Sequence, residues 1–576
     1  MEEGRGARMI KIFLAVFGFV AIAMVYNFLC FKNFHIPEAM DSAQIARNLS
    51  EGKGYTTDYI RPFSIHLLQE HRADHSPMLK APHPDIANAP IYPVVQAGLF
   101  KAGSVNFRIP PTATFTTYQP ERWIAGLNQV LFFCAVLLVF LIASQLFNST
   151  IAWISALVMT GTELFWRFSV SGLSTLLLMV IVLATVYCLV RMDEWQRQES
   201  PAMKKLLCFG VLTGIFVGLA GLTRYSFLWL ILPTLLFALL FAPRYRLKIP
   251  AVILLSFLII VAPWIARNHT ASGTLFGTAS YAVLEQTATF PENTLQRSLT
   301  PTFDKVTVKN LANKLFVNAH DILQNEVPRL GGSWVAAFFL AGLLVPFRNP
   351  TAVPLRIFLA SSLVLFVMVQ ALGRTHLSDV SKGVNSENLT VVFAPVVFIF
   401  GVAMFFLLID QIKFAKPVRV TLSYGVFIVA VSAPLVFTLL PPSSRPFAYP
   451  PYHPPLIQET CSWMKEEELM MSDLPWALAW YGDRTCTALT LKPDKDFFAI
   501  NDDLKKVKAL YLSPQTTDSR FLSQVMQPGS WEQLSFQGVA RGGDAIGDFP
   551  LRTVRKELMP HHVFLTDFER WNLPKN

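Results

Sequence analysis

Two carboxylates, Glu38 and Asp41, stand three residues apart just after the first apolar stretch of a 576-residue chain. In the segment 37–55, Pro37 suits the first turn of a helix, and Gly52 and Gly54 suit its end. A three-residue spacing places both acids on one helix face, and Ile45 and Leu49 continue that face. A carboxylate in line with an apolar stripe is aimed at the protein body and not at open water. A carboxylate held in that way can take a proton from a hydroxyl as a general base. The competing reading is that acids in a first turn only complement the helix dipole.

What must position these residues is a membrane domain. The chain is 52% hydrophobic and only 15% charged, with 47 phenylalanines, which takes it out of the soluble range. Apolar runs of the length a bilayer requires can be read at 9–31, 123–147, 151–168, 173–190, 206–222, 227–242, 249–266, 334–347, 355–372, 389–409 and 420–440. The expected fold is therefore an all-α membrane domain of roughly eleven spans. The run at 334–347 is the shortest and is also compatible with a buried or re-entrant segment.

With the amino terminus inside, basic residues fall on alternate connections: Arg5, Arg8 and Lys11, then Arg191, Arg197, Lys204 and Lys205, then Arg244, Arg246, Lys248, Arg348, Arg356, Lys413, Lys416 and Arg419. Most of the formal charge of +10 is thus topological, and no basic patch with stacking aromatics points to a nucleic-acid partner. The first span lacks a small-residue cleavage site and reads as an uncleaved anchor. An odd number of spans sends the segments 32–122, 267–333 and 441–576 to the outside, so all loops capable of chemistry share one face.

The expected domains are a membrane domain at 1–440, a Pro-rich linker at 441–455 and a small external α/β domain at 456–576. In that last domain 456–468 reads as a helix, while 476–481 and 509–512 read as short buried strands. Cys461 and Cys486 both fall there, and a disulfide between them is left open by the sequence. The first external segment is interrupted by Pro62, Pro77, Pro82, Pro84, Pro90 and Pro93, and its length marks it as an ordered cap or a lid. Residues 89–93 read as its return to the membrane, with Tyr92 as an interfacial aromatic.

In order along the chain, four segments resemble the GT-C superfamily of polytopic glycosyltransferases, in particular its protein-mannosyltransferase-like and aminoarabinose-transferase-like branch. They are the acidic helix at 38–55, with Asp41, Ala46, Gly52 and Tyr55; His83-Pro84 through Pro90-Ile91-Tyr92-Pro93; Gly218-Leu219-Ala220-Gly221-Leu222-Thr223-Arg224; and Pro263-Trp264-Ile265-Ala266-Arg267-Asn268. The resemblance covers roughly the first 440 residues. It departs from the family at Ser171-Gly172-Leu173-Ser174, where relatives often carry an acid, and at Asn385-Ser386-Glu387-Asn388-Leu389, where others have an arginine.

The resemblance implies transfer of a sugar, with inversion, from a polyprenyl-phosphate donor to a lipid, glycan or protein acceptor bearing a hydroxyl or amine. It also implies a multi-pass protein of a bacterial inner membrane, in contact with membrane lipids, whose site and last domain face the periplasm. It assigns Asp41 as the catalytic base. The residue types fit that chemistry, since a phosphate leaving group needs charge neutralisation and not a proton. Arg224 and Arg267, with Asn268, stand at the outer ends of two spans where lipid-linked phosphate would sit, although terminal arginines also snorkel to headgroups. Glu38 is read as support for Asp41 or a helix cap, and Tyr55 and Tyr92 as substrate contacts. Asp58 and His83 are secondary candidates that the long loop could bring over Asp41. No cofactor is certain; a divalent metal could be held by Asp41, Asp58 and His83, but their spacing is not diagnostic. Glu163 and Arg167, four apart, are expected to pair.

Two other function classes fit parts of the chain. A lipid or glycan transporter or flippase would use membrane charges as a substrate path, yet neither repeated halves nor broken mid-membrane helices are visible. A non-catalytic scaffold would explain the last domain but has no need of the acidic helix.

Overall fold

The structure is a computed structural model describing residues 5–71, 76, 78–110, 115–198, 202–242, 245–330, 334–345, 347, 349–380, 383–412, 417–440, 452–518, 527–541, 549–555, 558–559, 561–572. Most of the linker at 441–455 and Arg244, Arg348, Lys413 and Lys416 lie outside the described residues.

The fold is a helical membrane bundle with a small sheet on one end. Among the described residues, eight helices are long and apolar enough to cross a membrane: Met9–Cys30, Gln119–Leu146, Thr175–Gln196, Met203–Thr223, Lys248–Ser272, Ala352–Gly373, Thr390–Gln411 and Val420–Leu439. Shorter apolar helices occupy Ser149–Gly161 and Tyr225–Phe241. Two expected spans are shorter than their apolar runs. The run at 334–347 is helical over Trp334–Gly342. The run at 151–168 is divided at Thr162 into Ser149–Gly161 and Glu163–Val170. In the second of these helices the expected pair forms, with Arg167 Nε 3.9 Å from Glu163 Oε1.

The first helix, α1 (Arg5–Cys30), leads into the acidic helix α2 (Pro37–Ser50). Proline sits at the start of α2 after an extended Ile36, and Gly52 and Gly54 follow at φ +82° and +78°, a left-handed geometry that glycine adopts without steric cost. The expected single apolar face does not describe α2 well. Residues 39–48 are all buried, because α2 is packed on one side by α4 (Ile91–Gly103) and on another by a helix of the last domain, Pro475–Gly482. Between α2 and α4 the chain contributes strand β1 (Tyr59–Ile60) and helix α3 (Pro62–Glu70).

The sheet has six strands in the order β1-β3-β2-β4-β6-β5, with β2 Leu469–Ser472, β3 Cys486–Ala488, β4 Val507–Leu512, β5 Thr553–Arg555 and β6 Val563–Thr566. Strands β1, β3, β2 and β4 are parallel, and β6 and β5 run antiparallel to their neighbours. The edge strand β1 comes from the segment between α2 and α4: Tyr59 pairs with Cys486 and Ile60 with Thr487. The C-terminal sheet is thus completed by chain from more than 400 residues upstream.

Within the last domain 507–512 is a strand, as expected for 509–512, and the first helix is Pro454–Ser462. The expected strand at 476–481 is instead the helix Pro475–Gly482, begun by Pro475 in its first turn. A short apolar run does not distinguish a buried strand from a buried helix. The helical form lets Trp480 Nε1 and the Tyr481 hydroxyl both donate to Glu121 Oε1, at 2.9 and 2.6 Å, pinning the last domain to the bundle. Cys461 and Cys486 are both buried and free.

Candidate active site

Asp41 lies in the second turn of α2 and is 1% exposed. Its Oδ2 accepts from Arg61 Nη2 at 2.5 Å and from Asn88 Nδ2 at 2.8 Å. Its Oδ1 is buried and has no hydrogen-bond partner among the described residues. Buried polar atoms are nearly always paired, so an open acceptor lone pair on a carboxylate is a feature to be explained by use.

Arg61 and Asn88 come from the segment between α2 and α4. Arg61 is the residue between β1 and α3, with its guanidinium 4.1 Å above the Tyr59 ring. Asn88 closes a turn in which its backbone N–H donates to Asp85 Oδ2 at 2.8 Å, and its side-chain amide reaches Asp85 Oδ1 at 3.3 Å as well as Asp41. One amide therefore links two buried carboxylates. Burial, reinforced by the Asp41 charge, pushes Asp85 up to about 6, against the Arg61 guanidinium, which pulls it down.

Beneath this turn the residues of the Pro-Trp segment form a support. Arg267 Nη1 donates to the Asp85 carbonyl at 2.5 Å and to Asn268 Oδ1 at 2.9 Å, and Nη2 donates to the Tyr55 carbonyl at 3.3 Å. The Tyr55 hydroxyl donates to the Asn88 carbonyl at 3.1 Å, as does the Tyr225 hydroxyl, and Trp264 Nε1 and Asn268 Nδ2 donate to that Tyr225 oxygen at 2.8 and 3.3 Å. Arg267, Asn268 and Tyr55 thus hold the loop that carries Asp85 and Asn88, and Arg267 is occupied with carbonyl groups.

One turn back on α2, Glu38 meets different surroundings. Its Oε1 accepts from the Ser386 hydroxyl, and its Oε2 is buried without a partner among the described residues. Burial raises its pKa, the Ser386 hydrogen bond and the nearby Arg224 charge lowering it. Arg224 follows the Met203–Thr223 helix and makes no hydrogen bond or ion pair from its guanidinium among the described residues, although Glu38 and Glu387 are its charged neighbours. Glu387 accepts from the Thr375 backbone N–H and hydroxyl at 2.9 and 2.6 Å, and burial pushes it up to about 7. The segment 385–389, where arginine was expected from relatives, therefore presents a carboxylate toward Arg224.

The other expected site residues stand apart from Asp41. Asp58 accepts from Gln44 Nε2 at 2.8 Å, Asn48 Nδ2 at 3.2 Å and the Thr485 hydroxyl at 3.3 Å, tying α2 to the last domain. His83 Nε2 is 3.1 Å from the Ser64 hydroxyl, and burial pushes the imidazole down to about 4, so it is neutral. Asp41, Asp58 and His83 therefore each have separate partners, and no group of three metal-ligating side chains occurs among the described residues. Tyr92 lies inside the bundle and not at an interface: it is 2% exposed, and its hydroxyl lies 3.0 Å from the Gly172 carbonyl and 3.1 Å from Asn128 Oδ1.

Three comparisons bear on this arrangement. Residues 118–266 match the family model of dolichyl-phosphate-mannose-protein mannosyltransferases. ArnT from Cupriavidus metallidurans bound to undecaprenyl phosphate superposes with a TM-score of 0.55 at 12% identity, over 97% of this chain and 99% of that one. Its apo state gives the same score at 11% identity, over 99% and 100%. The fold is that of ArnT.

An oligosaccharyltransferase from Archaeoglobus fulgidus, tethered with an acceptor peptide containing the NVT sequon, gives a TM-score of 0.54 at 10% identity over 91% of this chain and 72% of that one. No curated protein matches the chain by sequence. The family-model match contains Arg224 and ends at Ala266, one residue before Arg267. The helix carrying Asp41 and the loop carrying Arg61, Asp85 and Asn88 precede the matched residues, so their part in the site rests on the geometry of this chain.

Proposed function

We propose that this integral multi-pass membrane protein is an inverting glycosyltransferase that moves a sugar from a polyprenyl-phosphate donor to an acceptor on the external face of the membrane. The observation that carries the reading is the division of labour on Asp41: one oxygen is held by Arg61 and Asn88, and the other is buried and open. The GT-C fold and the match to a mannosyltransferase family model support it.

In this reading Asp41 Oδ1 accepts the proton of the acceptor hydroxyl as its oxygen bonds to the anomeric carbon. The bond from that carbon to the phosphate oxygen breaks on the opposite face, and polyprenyl phosphate leaves with the electron pair. No acid is needed on the leaving side. Arg224, whose Nε is buried without a partner among the described residues, takes the phosphate charge, since an arginine fork can give a phosphate two parallel hydrogen bonds. Arg267 and Asn268 act through the loop they hold.

The test is mass spectrometry of envelope glycans and lipid-linked sugars from cells with and without the chain, and with Asp41→Asn. The expected result is a sugar-bearing product that requires the chain and is absent with Asp41→Asn at normal membrane levels of protein. Product made at full level by Asp41→Asn overturns the assignment.

A further inference from the structure

We propose that the C-terminal sheet is a working part of the catalytic site: residues 485–487, by pairing with β1, are positioning residues for the Arg61–Asp41 contact. The inference rests on the reading of Asp41 as base and assigns a role to the last domain.

The chain path makes the connection short. The Cys486 N–H donates to the Asp58 carbonyl at 2.7 Å, Tyr59 and Ile60 run in register with Cys486 and Thr487, and the next residue is Arg61. Arg61 therefore stands where the chain leaves the sheet edge, and its carbonyl accepts from the N–H groups of Ser64 and Ile65 at 2.9 and 3.2 Å at the start of α3. Its main chain is fixed on one side by the last domain and on the other by a helix.

The side chains of β1 divide by the strand period. Ile60 enters the core of the last domain, among Leu469, Met471 and Leu510. Tyr59 faces the other way, with the edge of its ring against Trp476 of the Pro475–Gly482 helix, 5.9 Å between centroids, and the Arg61 guanidinium on its face. The guanidinium that holds Asp41 is thus seated on a ring that the last domain buttresses.

A second tie runs to α2 itself. Asp58 joins Gln44 and Asn48 of α2 to the Thr485 hydroxyl, and Arg47 of α2 pairs with Asp483 at 2.7 Å. Both partners of the Arg61–Asp41 contact, one on β1 and one on α2, are referred to the same few residues, 483–487. A displacement of the sheet edge moves Arg61 relative to Asp41 Oδ2, and with it the direction in which Oδ1 is presented.

The experiment uses the full chain and compares Ile60→Ala, at the β1 edge, with Leu565→Ala in β6, a buried position toward the opposite edge of the same sheet. Two quantities are read: sugar-bearing product in cells, and binding of undecaprenyl phosphate, without sugar, to purified protein. Ile60→Ala is expected to lower product about a hundredfold, the size of effect that an ångström of misplacement produces, with undecaprenyl phosphate affinity within about twofold of the parent. Leu565→Ala is expected to lower the melting temperature comparably and keep both. Thr485→Val, which removes only the hydroxyl from Asp58, is expected to lower product in the same direction by less, and stands in if Ile60→Ala does not accumulate. Unchanged product in Ile60→Ala and Thr485→Val, or equal loss in Leu565→Ala, overturns the inference. If Asp41→Asn abolishes product while the sheet-edge variants keep it, the glycosyltransferase reading survives and only this inference falls; if Asp41→Asn keeps product, both fall.

Discussion

Asp41 and Glu38 lie one turn apart on α2, Asp41 buried and Glu38 half-buried, and their surroundings differ in the kind of partner each receives. Asp41 is gripped on one oxygen by two donors from a loop, one of them charged. Glu38 accepts from the neutral Ser386 hydroxyl, and among the described residues the nearby Arg224 makes no hydrogen bond to it. The difference teaches how one helix can serve two ends of a transfer reaction. In the proposed reaction the gripped carboxylate has a fixed direction and suits proton abstraction, while the loosely held one stands beside Arg224, the cation proposed to meet the phosphate.

The largest expected effect breaks the comparison at the gripped end. Asp41→Asn keeps an oxygen for Arg61 and Asn88 but loses the base, and product should fall by about a thousandfold or more, within the range general base catalysis contributes. Normal product would make the two carboxylates equivalent. Next is Arg224→Gln, which should weaken undecaprenyl phosphate binding by about tenfold to a hundredfold, the value of a charge-assisted hydrogen bond, and leave the melting temperature unchanged or higher because a buried cation is removed. Unchanged binding would move the phosphate elsewhere.

Asp85 gives a smaller effect that is read as a function of pH. Its carboxyl is raised to about 6 from an ordinary value of 3.8, so the folded state favours the protonated form. That contribution to stability is fully present below pH 4 and is lost as pH rises through about 6. Asp85→Asn should therefore flatten the decline in melting temperature between about pH 4 and 7, and a decline of unchanged size would assign it to another group. The smallest effect is expected for Glu38→Gln: the amide oxygen still accepts from Ser386, and product should stay within about threefold of the parent, since burial already favours the neutral acid. A loss as large as that of Asp41→Asn would erase the contrast between the two ends.

Much of α2 was legible because its signals are local: proline at the start, glycines at the end, and acids at helical spacing. The spans were legible from apolar length, and so was the pairing of Glu163 with Arg167. What surrounds Asp41 was not. Arg61, Asp85 and Asn88 come from a Pro-rich segment without periodicity, and Asp85 lies two residues from His83, which the sequence singled out in its place. Histidine and Asp58 drew attention by residue type, yet their partners Ser64 and Thr485 carry no sequence signal of contact. Arg267 read as a cation for phosphate, and its guanidinium proves to be spent on carbonyl groups, a role that depends on which loop folds over it. The helix at Pro475–Gly482 was misread because burial on every side removes the periodicity that separates helix from strand.

The strand that joins Tyr59 and Ile60 to residues 486 and 487 also sets a schedule for biogenesis. Asp58 and Thr485 are 427 residues apart, and a ribosome adding 5–20 residues each second takes roughly 20 to 85 s to make the intervening chain. Through that interval the first loop lacks the strand it pairs with, so its final form waits for residues 485–487 to be synthesised. A chain truncated before residue 485 would carry Asp41 with its neighbouring loop unfinished.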